Sequence, residues 1–99
     1  MAHFLLIYDL APDYLARRPE HRDAHLALAW QAVEAGGLLL GGAVGDPAES
    51  ALLLFADADA AYAFAGEDPY VAEGLVTRWR VVPWVTVVGA DAATPVHPG

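Results

Sequence analysis

Residues 38–56 read L-L-L-G-G-A-V-G-D-P-A-E-S-A-L-L-L-F-A. Two short apolar runs, 38–44 and 51–56, flank a segment, Gly45 to Ser50, made of turn-forming residues. That is the pattern of a β-hairpin with a somewhat long loop. Gly41 and Gly42 interrupt the first run, and mark either a bulge or a place where another group comes close to the backbone. What decides the fold is what lies on each side of this hairpin.

Upstream, residues 19–35 predict a long helix. Pro19 suits a first helical position, and Glu20 and Asp23 sit near the positive end of the dipole. Ala24, Leu28, Ala32 and Ala35 form a stripe that Leu26 and Ala27 broaden, and Gly36-Gly37 offers left-handed backbone to end the helix. Before it, residues 3–9 (H-F-L-L-I-Y-D) predict a strand with Phe4, Leu6 and Tyr8 on one face and Leu5 and Ile7 on the other. Residues 10–18 form a connection, with room for a short helical turn from Tyr14 to Arg17.

Downstream, Asp57 and Asp59 are helix caps, and residues 58–66 form a second helix with Ala61, Phe64 and Ala65 inward. Pro69 starts one further helical turn, which Gly74 ends. A last strand is predicted over 76–88, with Pro83 at a bulge or an edge. Residues 89–99 hold little to bury and predict a flexible C-terminal tail behind a single domain of residues 1–88.

The order is strand, helix, strand, strand, helix, strand. This is the split βαβ pattern of the ferredoxin-like α+β fold, βαββαβ, with both helices on one side of a four-stranded antiparallel sheet. A lone domain of this kind alternates apolar and polar residues on its open sheet face. Here the strands at 3–9, 51–56 and 76–88 are apolar on both faces. A second copy is the natural cover, so the expected assembly is a homodimer joined through the sheet face, a dimeric α+β barrel.

Composition narrows the functional classes. Thirteen acidic residues against five arginines and no lysine give a formal charge of −8, a surface that repels phosphate backbones and argues against nucleic acid. No apolar run is long enough to span a membrane. The opening M-A-H-F-L-L-I-Y-D lacks a basic segment before its apolar run, so it predicts a strand and not a signal peptide, and the expected location is cytoplasmic. With no cysteine there are no disulfides or thiolate metal sites.

The chemically versatile side chains gather in P-E-H-R-D-A-H-L-A-L, residues 19–28. His25, in an aliphatic run, is the candidate acid or base; the bland alternative is a structural histidine bonded to a carbonyl. Asp68 is its candidate partner, because a carboxylate on one ring nitrogen leaves the other free to move a proton. The alternative for Asp68 is a turn or cap residue before Pro69. Tyr70 is a phenol donor or a packing residue. Arg22 holds a ligand carboxylate or phenolate, or pairs with Asp23, Asp68 or Glu20. His21 and His25 have the i,i+4 spacing of a zinc helix, but Arg22 stands where a zinc peptidase needs glutamate, so neither metal nor cofactor is expected. Tyr8, Trp79 and Trp84 are assigned to the core or dimer seam, with an aromatic ligand slot as the sharper alternative.

The chain resembles the YciI-like (YCII-related) family. The resemblance is carried by F-L-L-I-Y-D at 4–9, R-D-A-H-L at 22–26, G-G-L-L-L-G-G-A at 36–43, D-P-Y-V-A-E-G-L at 68–75 and W-R-V-V-P-W at 79–84. It implies a ferredoxin-like fold that dimerises as an α+β barrel, and a site built on a histidine and an aspartate that map onto His25 and Asp68, with Arg22 beside them. Many members have A-G-P where this chain has G-G-A, so that pocket wall differs. One branch is a dehydrochlorinase of chlorinated hydroquinones. The expected function is a cofactor-independent small-molecule enzyme using a His–Asp pair for proton transfer, of lyase or isomerase type. The alternative is a non-catalytic metabolite-binding dimeric module.

Overall fold

The structure is a computed structural model and describes residues 2–99. Its elements are β1 (Phe4–Leu10), α1 (Tyr14–Glu34), β2 (Leu38–Val44), β3 (Ser50–Phe55), α2 (Ala58–Glu67), the single turn α3 (Pro69–Ala72) and β4 (Val76–Pro83). The central hairpin forms as its turn residues dictate, with Val44 opposite Ser50 and Gly41 opposite Leu53. Gly45 turns at φ +93°, where an added Cβ would meet the Pro47 carbonyl oxygen at 3.0 Å. The sheet order is β2-β3-β1-β4, every neighbouring pair antiparallel. The fold is therefore α+β, a ferredoxin-like βαββαβ domain.

The helices cover one face of the sheet. There, Leu6, Tyr8, Leu53 and Phe55 are buried with Ala61, Phe64 and Ala65 of α2 and with Leu75. Asp57 caps α2 by accepting from the Asp59 backbone N–H at 3.2 Å. On α1, Leu28, Ala29, Ala32 and Val33 pack on this core, whereas Ala24 and Ala35 are exposed. The inward stripe is thus rotated by about one position from the Ala24–Leu28–Ala32–Ala35 expectation. Gly36 ends α1 at φ +86°, its N–H bonding Val33 O while the Gly37 N–H bonds Ala32 O. This pair of bonds is the Schellman closure.

Two boundaries differ from expectation. Helix α1 begins at Tyr14 and contains Pro19, where a start at Pro19 was expected. Pro19 has no N–H to offer the Leu15 carbonyl, and Leu15 is exposed, so this gap in the helix ladder lies at the surface. Strand β4 stops at Pro83, five residues short of the expected end, because proline cannot continue the ladder as donor. Beyond it, the Trp84 N–H bonds His3 O at 3.0 Å, and the chain doubles back through Thr94 N–H to Thr86 O and Val96 N–H to Val87 O.

The second sheet face carries Leu5, Ile7, Leu52, Leu54 and Val82, which register places side by side: Leu5 opposite Leu54 and Val82, Ile7 opposite Leu52 and Arg80. On the β2 edge a register shift between Leu38 and Leu40 sends Leu38 into the core and leaves Leu40 71% exposed. No helix among the described residues is long and apolar enough to cross a membrane.

Candidate functional site

Asp68 sits at the junction of α2 and α3 because its sequence context allows little else. As the residue before a proline it is held extended, at φ −68° and ψ 121°. Its N–H still closes the last turn of α2 on Phe64 O at 2.9 Å. Its Oδ1 caps α3 by accepting from the Tyr70 N–H at 3.0 Å. So the capping role and the proposed chemical role coexist in one side chain. That carboxylate is fully buried, and its remaining needs are met by side chains. The His25 Nδ1 lies 2.9 Å from Oδ1. The Tyr8 hydroxyl donates to Oδ2 at 2.7 Å.

His25 comes from the middle of α1, 43 residues away in sequence. A carboxylate only accepts, so it selects the tautomer with the proton on Nδ1 and leaves Nε2 as the free base. The ring is held by packing as well. It stacks on Tyr70 at 3.9 Å and 6°, and meets the edge of Phe64 at 6.1 Å. Its side chain remains 16% exposed, facing a cleft of about 480 Å³ between α1 and the β2 side of the sheet.

The cleft exists because the sheet is made of small residues where α1 passes over it. Gly41 and Ala43 of β2 and Ala51 of β3 line it, opposite Tyr14, Arg18, Arg22, His25 and Ala29 of α1. The α1 positions are spaced four, four, three and four residues apart, one face of a helix. Arg18 lies over the Tyr14 ring at 5.7 Å. Arg22 lines the same wall and forms no ion pair among the described residues, so the alternative of pairing with Asp23, Asp68 or Glu20 is not seen.

Electrostatics follow from burial. The Tyr70 phenol is pushed up to about 12, first by desolvation and then by Tyr14, with Arg22 and Arg18 opposing and Asp68 adding to the rise. The Tyr8 phenol is raised much further, again mainly by burial, then by the charge of Asp68 and its hydrogen bond. Both remain protonated donors at neutral pH. The partly buried His21 sits 3.5 Å from the exposed Glu20, and among the described residues no three His, Asp or Glu side chains converge to hold a metal.

The four side chains expected at the site therefore lie together: His25 bonds Asp68, Tyr70 stacks on His25, and Arg22 shares the cleft wall. Tyr8, Tyr14 and Arg18 were not expected there. Tyr8 was assigned to the core or dimer seam, or else to an aromatic ligand slot with Trp79 and Trp84, and only the fold shows its hydroxyl reaching Asp68. Tyr14 and Arg18 were hidden by the misplaced helix start. Continuing the helical period backward from His25 through Arg22 was the signal available for them.

A solved structure with the same fold is 5-chloro-2-hydroxyhydroquinone dehydrochlorinase from Burkholderia phenoliruptrix, in complex with 2,5-dihydroxybenzoquinone. It is 22% identical, with a TM-score of 0.68 over 85% of this chain and 94% of that one. Such a likeness speaks for the fold. No protein of curated function matches this chain in sequence. The family model described as the YCII-related domain matches residues 1–85, nearly the whole folded body. The chain belongs to the YCII-related domain family.

Proposed function

We propose that this protein is a cofactor-independent enzyme that moves a proton on a compact, oxygenated small molecule, with His25 as general acid and base. The supporting observation is the His25 ring, fixed by Asp68 through Nδ1 at 2.9 Å, with its other edge toward a cleft. Nε2 takes a proton from a ligand hydroxyl or from a carbon next to a carbonyl. Asp68 holds the tautomer and stabilises the imidazolium that forms. Arg22, on the same wall, offsets the negative charge left on the ligand. Tyr70 keeps one face of the ring covered. Lyase and isomerase steps fit such a site, because proton transfer there is the main work of catalysis. The dehydrochlorinase with this fold holds a dihydroxylated quinone, and that compound class is the place to begin for this chain.

We also infer that two copies associate through the sheet face bearing Ile7, Leu52 and Leu54. Side chains of this kind form a contiguous apolar surface that water leaves unfavourable.

The test is a thermal-shift screen of hydroxylated quinones, hydroquinones and small lactones against the wild type and His25→Ala, followed by turnover of any binder. Removing a general base lowers turnover by roughly 10²–10⁴. We expect that loss, with ligand affinity changed far less. A His25→Ala variant that turns over the ligand at the wild-type rate removes His25 from the chemistry. Ligands that bind and never react favour a metabolite-binding module instead.

A further inference from the structure

We propose that Tyr8 is a positioning residue: its phenol, bonded to the second oxygen of Asp68, sets the tautomer and the basicity of His25 through the shared carboxylate. Tyr8 lies on β1, a central strand, and is 1% exposed. Its ring fills the core as a phenylalanine would. What phenylalanine cannot supply is the 2.7 Å bond to Oδ2. That bond completes the set of donors on Asp68, with Tyr70 N–H and His25 Nδ1 both on Oδ1. The carboxylate is thereby locked in rotation, with one oxygen committed to His25 and the other to Tyr8.

The second consequence is electrical. A donor on Oδ2 draws negative charge away from Oδ1, so the carboxylate holds a proton on the imidazole less strongly than it would alone. Burial keeps the phenol protonated, so the donor is permanent. The other charged or titratable groups around His25 are Arg18, Arg22 and Tyr14 on α1 and Tyr70 on α3. Strands β2 and β3 present none on the cleft, and α2 presents Phe64. Tyr8 and His25 line the same cleft, and the hydrogen-bonded route between them runs through Asp68.

This rests on the proton-transfer reading for its meaning, but its test needs no substrate. Histidine ¹⁵N spectra of the full chain, with His25 assigned by its loss in His25→Ala, are recorded across pH for wild type and Tyr8→Phe. The wild type should show neutral His25 as the Nδ1–H tautomer. Tyr8→Phe should mix in the Nε2–H form and move the ring's titration upward by roughly half to one pH unit, the scale of one charge-assisted bond. A folded Tyr8→Phe protein with both signals unchanged overturns the proposal. If that variant does not fold, 3-fluorotyrosine placed at position 8, a stronger donor, should move the titration downward; no movement is equally fatal. Turnover is a separate measurement: activity that survives His25→Ala sinks the proton-transfer reading, whatever Tyr8 does to the ring.

Discussion

Asp68 is the residue on which the site turns, and its environment makes its loss costly. Both oxygens are satisfied inside the protein, by Tyr8, His25 and the Tyr70 N–H. Asp68→Ala strands three donors in a buried space and uncaps α3. Breaking a buried polar pair from one side costs about 3–5 kcal/mol, and we expect a loss of that order in urea unfolding. A change below about 1 kcal/mol would mean that water replaces the carboxylate easily. Tyr70 offers a second reading at this scale. The folded chain holds its phenolic proton up to about 12, against 10.0 for the free group. Its stabilising share is therefore whole below pH 10 and is lost as pH rises toward 12. Unfolding free energy should fall across that window in the wild type and fall less in Tyr70→Phe, with tyrosinate absorbance rising in step.

Helix α1 shows how one local signal can mislead. Pro19 is a good first helical residue, yet the helix takes it in its interior, because Tyr14 is buried against Tyr70 and anchors the segment ahead of it. The Arg17 side chain also donates to Glu73 O at 2.6 Å, tying this early turn to the end of α3. Packing overrode a residue preference, and with it went the early sighting of Tyr14 and Arg18. Strand β2 teaches the converse. Its glycines weaken it as a strand, and their value is the space left under α1. A Cβ on Gly41 would touch Leu53 at 3.4 Å, in ordinary contact, so a larger side chain is tolerated by the fold. Gly41→Val fills the cleft instead. Ligand affinity should drop roughly tenfold or more, the scale on which a methyl group or two decides fit in a pocket. The melting temperature should barely move. Affinity left intact would place the ligand elsewhere.

For the whole molecule the open sheet face is the unresolved surface. Leu52 is 38% exposed and Leu40 71%, on the side away from the helices. If two copies meet there, sedimentation of the wild type should give a dimer of the 10.5 kDa chain. Leu52→Glu puts a charge opposite Ile7 and should give a monomer with its near-ultraviolet spectrum intact. A wild type that sediments as a monomer at high concentration ends that reading. The charge of −8 on each copy opposes association, a repulsion that salt screens and that burial of the apolar patch has to outweigh.

Much of this was written in local pattern. The strand periods, the helix stops at Gly36 and Gly74 and the cap at Asp57 each follow from neighbours a few residues apart, so the βαββαβ order was legible without coordinates. The pairing of His25 with Asp68 came from the chemistry of the two side chains, and the family resemblance implied it as well; no local spacing carries it, because 43 residues separate them. Only the packed chain decided that Tyr8 completes that pair, that α1 stands off β2 to open a cleft, and that Arg22 lines it with no ion-pair partner among the described residues. Those outcomes depend on where elements far apart in sequence come to rest against each other, and no local period encodes such a distance.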